Sequence, residues 1–94
     1  MVALSLGPEL VVTDYTITPT HDVHHVTGDA THLSYINVPS PEFCGFVVLI
    51  IDSNVVIYGD GNIIFSGGSL TSDRATMFVY DPDEAKWYVN QAKN

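Results

Sequence analysis

Positive charge is nearly absent from this 94-residue chain: Arg74, Lys86 and Lys93 stand against eleven Asp and Glu, a formal net charge of −8. No basic stripe exists to neutralise phosphates, so neither nucleic acid nor anionic membrane is an expected partner. Charge of either sign is scarce too, 15% of residues, where an average soluble domain carries roughly 25%. Cys44 is the single cysteine, which excludes an internal disulfide and a cysteine-based zinc cluster. Flanked by Phe43 and Gly45-Phe46-Val47, it reads as a small buried hydrophobe. The longest strongly apolar stretch, residues 43–51, falls far short of the ~20 residues of a membrane helix. Residues 1–8 lack a positively charged segment and Gly7-Pro8 interrupts their apolar run, so no signal peptide is expected.

Helical spacing of apolar positions is missing as well. What the chain has instead is 46% hydrophobic residues, in short runs rich in Val, Ile, Thr, Tyr and Phe between turn signals. The candidate strands are residues 9–17, 23–27, 32–38, 45–51, 54–58, 62–65, 75–80 and 86–90. Gly28-Asp29, Asp52-Ser53-Asn54, Gly59-Asp60-Gly61-Asn62 and Gly67-Gly68 supply residues that tolerate positive φ and read as hairpin turns. Pro39-Ser40-Pro41 marks a longer loop, and Asp81-Pro82-Asp83-Glu84 a turn before the last strand. The expected fold is all-β, a compact antiparallel sandwich or barrel of about eight short strands. Pro19-Thr20 divides an amino-terminal arm or first strand, 1–20, from a β-domain at 21–94.

"FVVLIID", residues 46–52, departs from polar and apolar alternation because Val47, Val48, Leu49, Ile50 and Ile51 are all apolar. Such a strand is expected to be buried on both faces. In so short a chain it is either the middle layer of a tight sandwich or a strand with one face in the domain and the other against a neighbouring subunit. Left exposed, it would invite aggregation.

"HDVHHVTGDATH", residues 21–32, holds all four histidines. On an extended chain His21, Val23 and His25 share one face and Asp22, His24 and Val26 the other. His21 and His25 then stand about 13 Å apart at ~3.3 Å per residue, too far to ligate one metal. A site could still arise with His32 opposite His24 or His25 in a hairpin turning at Gly28-Asp29, with Asp22 as carboxylate ligand. The simpler expectation is a polar face of imidazoles, with no metal and no cofactor.

Catalytic patterns fare no better. Ser69 lacks the G-x-S-x-G elbow, and Asp52-Ser53-Asn54 with Asp60-Gly61-Asn62 fails calcium-loop spacing, since Val56 stands where a ligand is needed. Asp81, Asp83 and Glu84 read as a solvated turn. Trp87, Tyr88 and Tyr80 offer a carbohydrate platform, against the plainer arrangement of Trp87 inward and Tyr88 outward. No enzyme is expected.

The order of motifs carries a resemblance. Val26-Thr27-Gly28, then Leu33-Ser34-Tyr35-Ile36 with Pro39, Phe43-Cys44-Gly45 leading into Val48-Leu49-Ile50, Gly61-Asn62-Ile63, and Phe78-Val79-Tyr80-Asp81 with Lys86-Trp87-Tyr88 resemble a pattern of small β-rich structural proteins of tailed-bacteriophage virions. The histidine cluster and Cys44 are not part of that pattern. The resemblance implies a virion component with no catalytic residues, in which Phe43, Gly45, Leu49, Gly61, Asn62, Tyr80 and Trp87 are scaffold. The expected role is a capsid decoration, or cement, protein that binds the head surface as a homotrimer, with the major capsid protein and copies of itself as partners. Val47, Val48, Leu49, Ile50 and Ile51 would form the core and oligomer strand, and Leu10, Val11, Val12, Tyr15 and Ile17 a capsid-docking arm by edge pairing. The alternative is a receptor- or carbohydrate-binding module of a tail fibre or baseplate.

Overall fold

Turn residues cut the chain so often that, among the described residues, no strand exceeds seven residues. A computed structural model describes residues 4–40, 42–64 and 75–90. Ten strands and no helix occur among them: β1 Leu10–Val11, β2 Thr16–Ile17, β3 Val23–Thr27, β4 Thr31–Leu33, β5 Tyr35–Ile36, β6 Phe46–Ile51, β7 Val55–Ile57, β8 Ile63–Ile64, β9 Ala75–Asp81 and β10 Lys86–Asn90. The expected turn at Gly67-Gly68, the excluded nucleophile Ser69, the strand end at Phe65 and the loop residue Pro41 lie outside the described residues.

The all-β expectation holds; the antiparallel one does not. A six-stranded sheet runs in the order β1-β3-β6-β9-β10-β8, beside two-stranded ladders β2-β5 and β4-β7. Only β6–β9 and β9–β10 pair antiparallel, whereas β1–β3, β3–β6, β8–β10, β2–β5 and β4–β7 are all parallel. Short connections normally join antiparallel hairpins, and parallel neighbours need a crossover of a dozen or more residues. Here the crossover is itself made of strands. Between β3 and β6 the chain passes through β4 and β5, and each of those joins a parallel ladder with a strand from another pass of the chain. The sequence therefore winds, and the result is a curled mixed sheet.

Local backbone geometry explains two of the rearrangements. The expected strand 9–17 is broken because Thr13 and Thr16 exchange backbone hydrogen bonds (3.1 and 3.0 Å) around Asp14 and Tyr15, which take φ of 52° and 62°. The hairpin expected at Gly28-Asp29 does not form. After Ala30, at φ 49°, β4 leaves β3 and pairs with β7, with His32 opposite Val56. Asp52-Ser53-Asn54 is a tight turn, closed by Val55 N–H to the Asp52 carbonyl (3.0 Å), but it too hands the chain to another ladder.

The core lies on the inner face of the sheet. Register puts Val26 between Leu10 and Ile51, Leu49 beside His24 and Thr76, Val47 beside Phe78, and Trp87 beside Ile63. Ile17, Leu33, Ile36, Val55 and Ile57 from the two short ladders close over it. The Cα radius of gyration, 12.3 Å, equals the ~12 Å expected of a compact chain this long. The chain covers this inner face by itself.

One side chain does the work of a strand. Asn62 Oδ1 accepts the Ile36 N–H and its Nδ2 donates to the Ile36 carbonyl, both at 2.9 Å. An amide thus reproduces both bonds of a ladder rung. The same carbonyl accepts the indole N–H of Trp87 (2.9 Å), and Trp87 N–H donates to the Asn62 carbonyl (2.7 Å). Gly61 is required beside it because a Cβ there would collide with the Ser34 carbonyl.

Candidate functional site

The sheet has a second face, and it is apolar. Side chains alternate along each strand, so the register that buries Val47, Leu49 and Ile51 turns Phe46, Val48 and Ile50 outward, beside Val79, Met77 and Ala75 of β9. Val23 and His25 extend this row on β3, and Tyr88 with Ile64 extends it on the far side. Phe46, Val79, Tyr88 and Ile64 are 40%, 41%, 44% and 39% exposed. The four longer strands of this face, β3, β6, β9 and β10, at ~4.8 Å spacing and five residues at ~3.3 Å rise span roughly 300 Å², the size of the largest apolar patches on monomeric proteins. No carboxylate of the described residues falls within it: Asp81 lies at the rim opposite Lys86.

Within the single chain this strand is buried on one face, so it is not the middle layer of a sandwich. Val47, Leu49 and Ile51 are 2%, 0% and 5% exposed, and Val48 and Ile50 are half-buried. The reason is that β3 and β9 flank β6 within the sheet while only one layer packs across it. Of the five residues expected in a docking arm, Ile17 is buried, Leu10 and Val12 pack against the core, Tyr15 stacks on His32 while 51% exposed, and Val11 is open, at 60%. The segment is built into the domain. Its earlier part is fastened by Asp22, whose Oδ2 accepts the N–H and hydroxyl of Ser5 (3.0 and 2.9 Å). These two bonds, and more weakly His21, hold the Asp22 carboxyl below the usual range.

The four histidines go to four environments. His24 is fully buried; its Nε2 accepts the N–H groups of Thr20 and His21 (3.0 and 2.9 Å), and its Nδ1 donates to the Pro8 carbonyl (2.7 Å). Both ring nitrogens are used, so this imidazole is a clamp between the first segment and the turn before β3. His21 meets it edge-on, with ring centroids 5.8 Å apart, and bonds Thr20 Oγ1 through Nδ1 (2.9 Å). His25 is exposed on the outer face. His32 lies between Tyr15 and Tyr58, with centroids 4.1 and 4.2 Å away. No group of three or more His, Cys, Asp or Glu among the described residues converges as a metal site.

Cys44 is exposed, contrary to the buried position expected of it. β6 begins two residues later, and Phe43 takes the inward place, 5.8 Å from the Trp87 ring and 6.0 Å from Tyr80. Trp87 is 1% exposed and Tyr88 points out, so the inward and outward arrangement is the one adopted and the Trp87 platform for a sugar does not exist. Asp81 accepts the N–H of Asp83 (2.9 Å), as a turn carboxylate does.

No family model, curated protein or solved structure matches this chain. The residues alone carry the functional reading. Two features escaped sequence reasoning: the Tyr15-His32-Tyr58 column, which depends on a ladder between distant segments, and the outer face, whose residues are interleaved with core positions in the same strands. The unbroken apolar run of β6 was the one signal for the latter.

Proposed function

We propose that this protein is a non-enzymatic structural subunit that assembles with copies of itself through the outer face of its six-stranded sheet. Within that reading, the best match of role is a head decoration (cement) protein of a tailed bacteriophage, a homotrimer seated on the major capsid protein. The observation that carries it is an apolar outer face, free of carboxylates among the described residues, on a chain of net charge −8. Copies this acidic repel one another, so they approach most easily where no carboxylate stands. A patch of roughly 300 Å² is smaller than the ~800 Å² each partner gives to a standard interface, so it forms the apolar centre of a contact whose rim is polar. In the trimer the curled sheet and its two short ladders act as one sandwich- or barrel-like body.

The receptor-binding alternative loses the platform expected for it at Trp87, because that indole is buried. Light scattering of the wild type and of a Phe46→Glu, Val79→Glu double variant tests the assembly. Trimers of wild type and monomers of the variant, with unchanged circular dichroism, are expected; a wild type that stays monomeric at about 100 μM, well above the micromolar range of ordinary specific contacts, refutes it. The capsid assignment is tested separately, by the copy number of the protein in purified particles. That number must scale with capsid subunits.

A further inference from the structure

Beside the Tyr15-His32-Tyr58 column lies a groove of about 370 Å³ lined by Thr31, His32, Ser53, Asn54, Val56 and Tyr58, within the ~300–1,000 Å³ typical of ligand sites. Its aromatic wall is His32 and Tyr58, with Tyr15 stacked behind His32. The planes of Tyr15 and His32 are within 6° of parallel, and those of His32 and Tyr58 within 17°. Tyr15 stands in the column with φ 62°, a conformation that a residue with a bulky side chain enters at a cost of about 1–3 kcal/mol. Its carbonyl, which accepts the N–H groups of Ser34 and Tyr35 (2.9 and 3.1 Å), holds it there.

The groove pairs that wall with unspent hydrogen-bonding groups. Among the described residues the side-chain amide of Asn54 and the hydroxyl of Thr31 make no intramolecular bond, while the Asn54 backbone N–H is fixed on Asp52 Oδ1 (2.9 Å). Tyr58 is 45% exposed, one ring face covered by His32 and no other ring stacked on it among the described residues. The Tyr58 and His32 rings, an apolar flank at Val56, and an amide and a hydroxyl lining one depression match a ring with C–H groups on one face and hydroxyls around its edge. We propose that this groove binds a neutral hexopyranose, the ring lying on Tyr58 and its hydroxyls bonded to Asn54 and Thr31. Neutrality follows from the setting: Asp52 adjoins the groove and the chain is strongly acidic, which disfavours sialic and uronic acids.

The groove lies at the β4–β7 ladder rather than on the six-stranded sheet, and the proposal does not depend on the assembly face. A hexose of about twelve heavy atoms at ordinary ligand efficiency binds in the millimolar range. The probes are glucose, galactose, mannose, N-acetylglucosamine and N-acetylneuraminic acid, titrated to about 50 mM, with full-length protein observed by NMR. Saturable shifts confined to Thr31, Asn54, Val56 and Tyr58 with at least one neutral sugar, and none with N-acetylneuraminic acid, are expected. Tyr58→Ala should weaken that binding at least tenfold, Asn54→Ala several-fold, and Tyr88→Ala on the outer face not at all. The absence of saturable shifts with every neutral sugar overturns the proposal, as does binding that survives both Tyr58→Ala and Asn54→Ala. Should Tyr58→Ala unfold the chain, Asn54→Ala decides alone, because its side chain supports nothing within the described fold.

Discussion

Replacing Asn62 by Asp changes two atoms' chemistry and almost no volume, so it isolates the claim that a side-chain amide serves as a ladder rung. In the native arrangement the Ile36 N–H needs an acceptor and its carbonyl needs a donor, and Asn62 supplies both at 2.9 Å. N62D keeps the acceptor and turns the donor into a second acceptor against the Ile36 carbonyl. The lost bond is worth about 1 kcal/mol, and facing two partly buried acceptors adds the ~1–3 kcal/mol of an unsatisfied group, so about 2–4 kcal/mol is expected at neutral pH. A 94-residue chain has only about 5–14 kcal/mol of stability in all, and each kcal/mol moves the midpoint by about 4–8 °C in a domain this size. A drop in Tm of about 8–32 °C should therefore be seen by circular dichroism or Trp87 fluorescence. The pH dependence is the sharper readout. Protonation restores a donor to the variant, so its folded state favours the protonated carboxyl, the folded pKa is raised above the unfolded one, and the deficit relative to wild type shrinks as pH falls toward 4. Asn62→Ala, which cannot regain a donor, should show no such recovery. An N62D deficit under 1 kcal/mol, or one that stays flat with pH, refutes the rung.

Two further outcomes test the sheet and the first segment. At concentrations where the chain is monomeric, Leu49→Ala should cost about 2–5 kcal/mol and Ile50→Ala under about 1, because only the first is fully buried; equal losses in chemical denaturation would restore the idea of a strand covered on both sides. In a pH titration the Ser5 amide resonance should move with a midpoint below the ordinary Asp value of ~3.9, since the folded pKa of Asp22 is depressed. The tether's contribution is then present above the unfolded value and lost as pH falls through the folded one. A midpoint at or above the ordinary value, or the same titration in Asp22→Asn, would mean that the Ser5 bonds do not form in solution.

Strand positions were legible because burial here is set by local alternation. β3 and β10 begin and end where the runs of β-branched and aromatic residues do, and His24, which a polarity scale would place outside, is inside because the alternation that buries Val26 also buries it. Pairing was not legible. Nothing local distinguishes a turn that returns a strand to its neighbour from one that passes it to another ladder, and Asp52-Ser53-Asn54 and Gly28-Asp29 are both of the second kind. Gly61-Asn62 shows the same division. The glycine and the amide mark a turn in the sequence, but that the amide completes a rung with Ile36 depends on β5 having already joined β2. Cys44 was misplaced for a related reason: its apolar neighbours are shared between two tasks, Phe43 packing on Trp87 and Phe46 opening the outer face.

The winding topology also bears on why the outer face stays apolar. β6 and β9 are central strands of the sheet, and central strands favour Val, Ile and Phe on both faces because branched and aromatic side chains pack against cross-strand neighbours whether or not another layer covers them. Propensity alone thus explains part of the Phe46-Val48-Ile50 row and its partners on β9. It does not explain the absence of charge. An exposed sheet face of a solitary protein gains solubility from Lys and Glu at no cost to pairing, and this chain has eleven carboxylates to place. Those on described residues lie in turns and at rims, not across the centre of the face. If solubility were the only demand on that surface, Val48→Lys or Val79→Lys would improve recovery and change nothing else; if the face is an assembly surface, either substitution leaves the monomer folded and dissolves the oligomer. Sedimentation velocity of the two variants beside wild type separates these cases, and an unchanged sedimentation coefficient for both would leave propensity as the whole explanation.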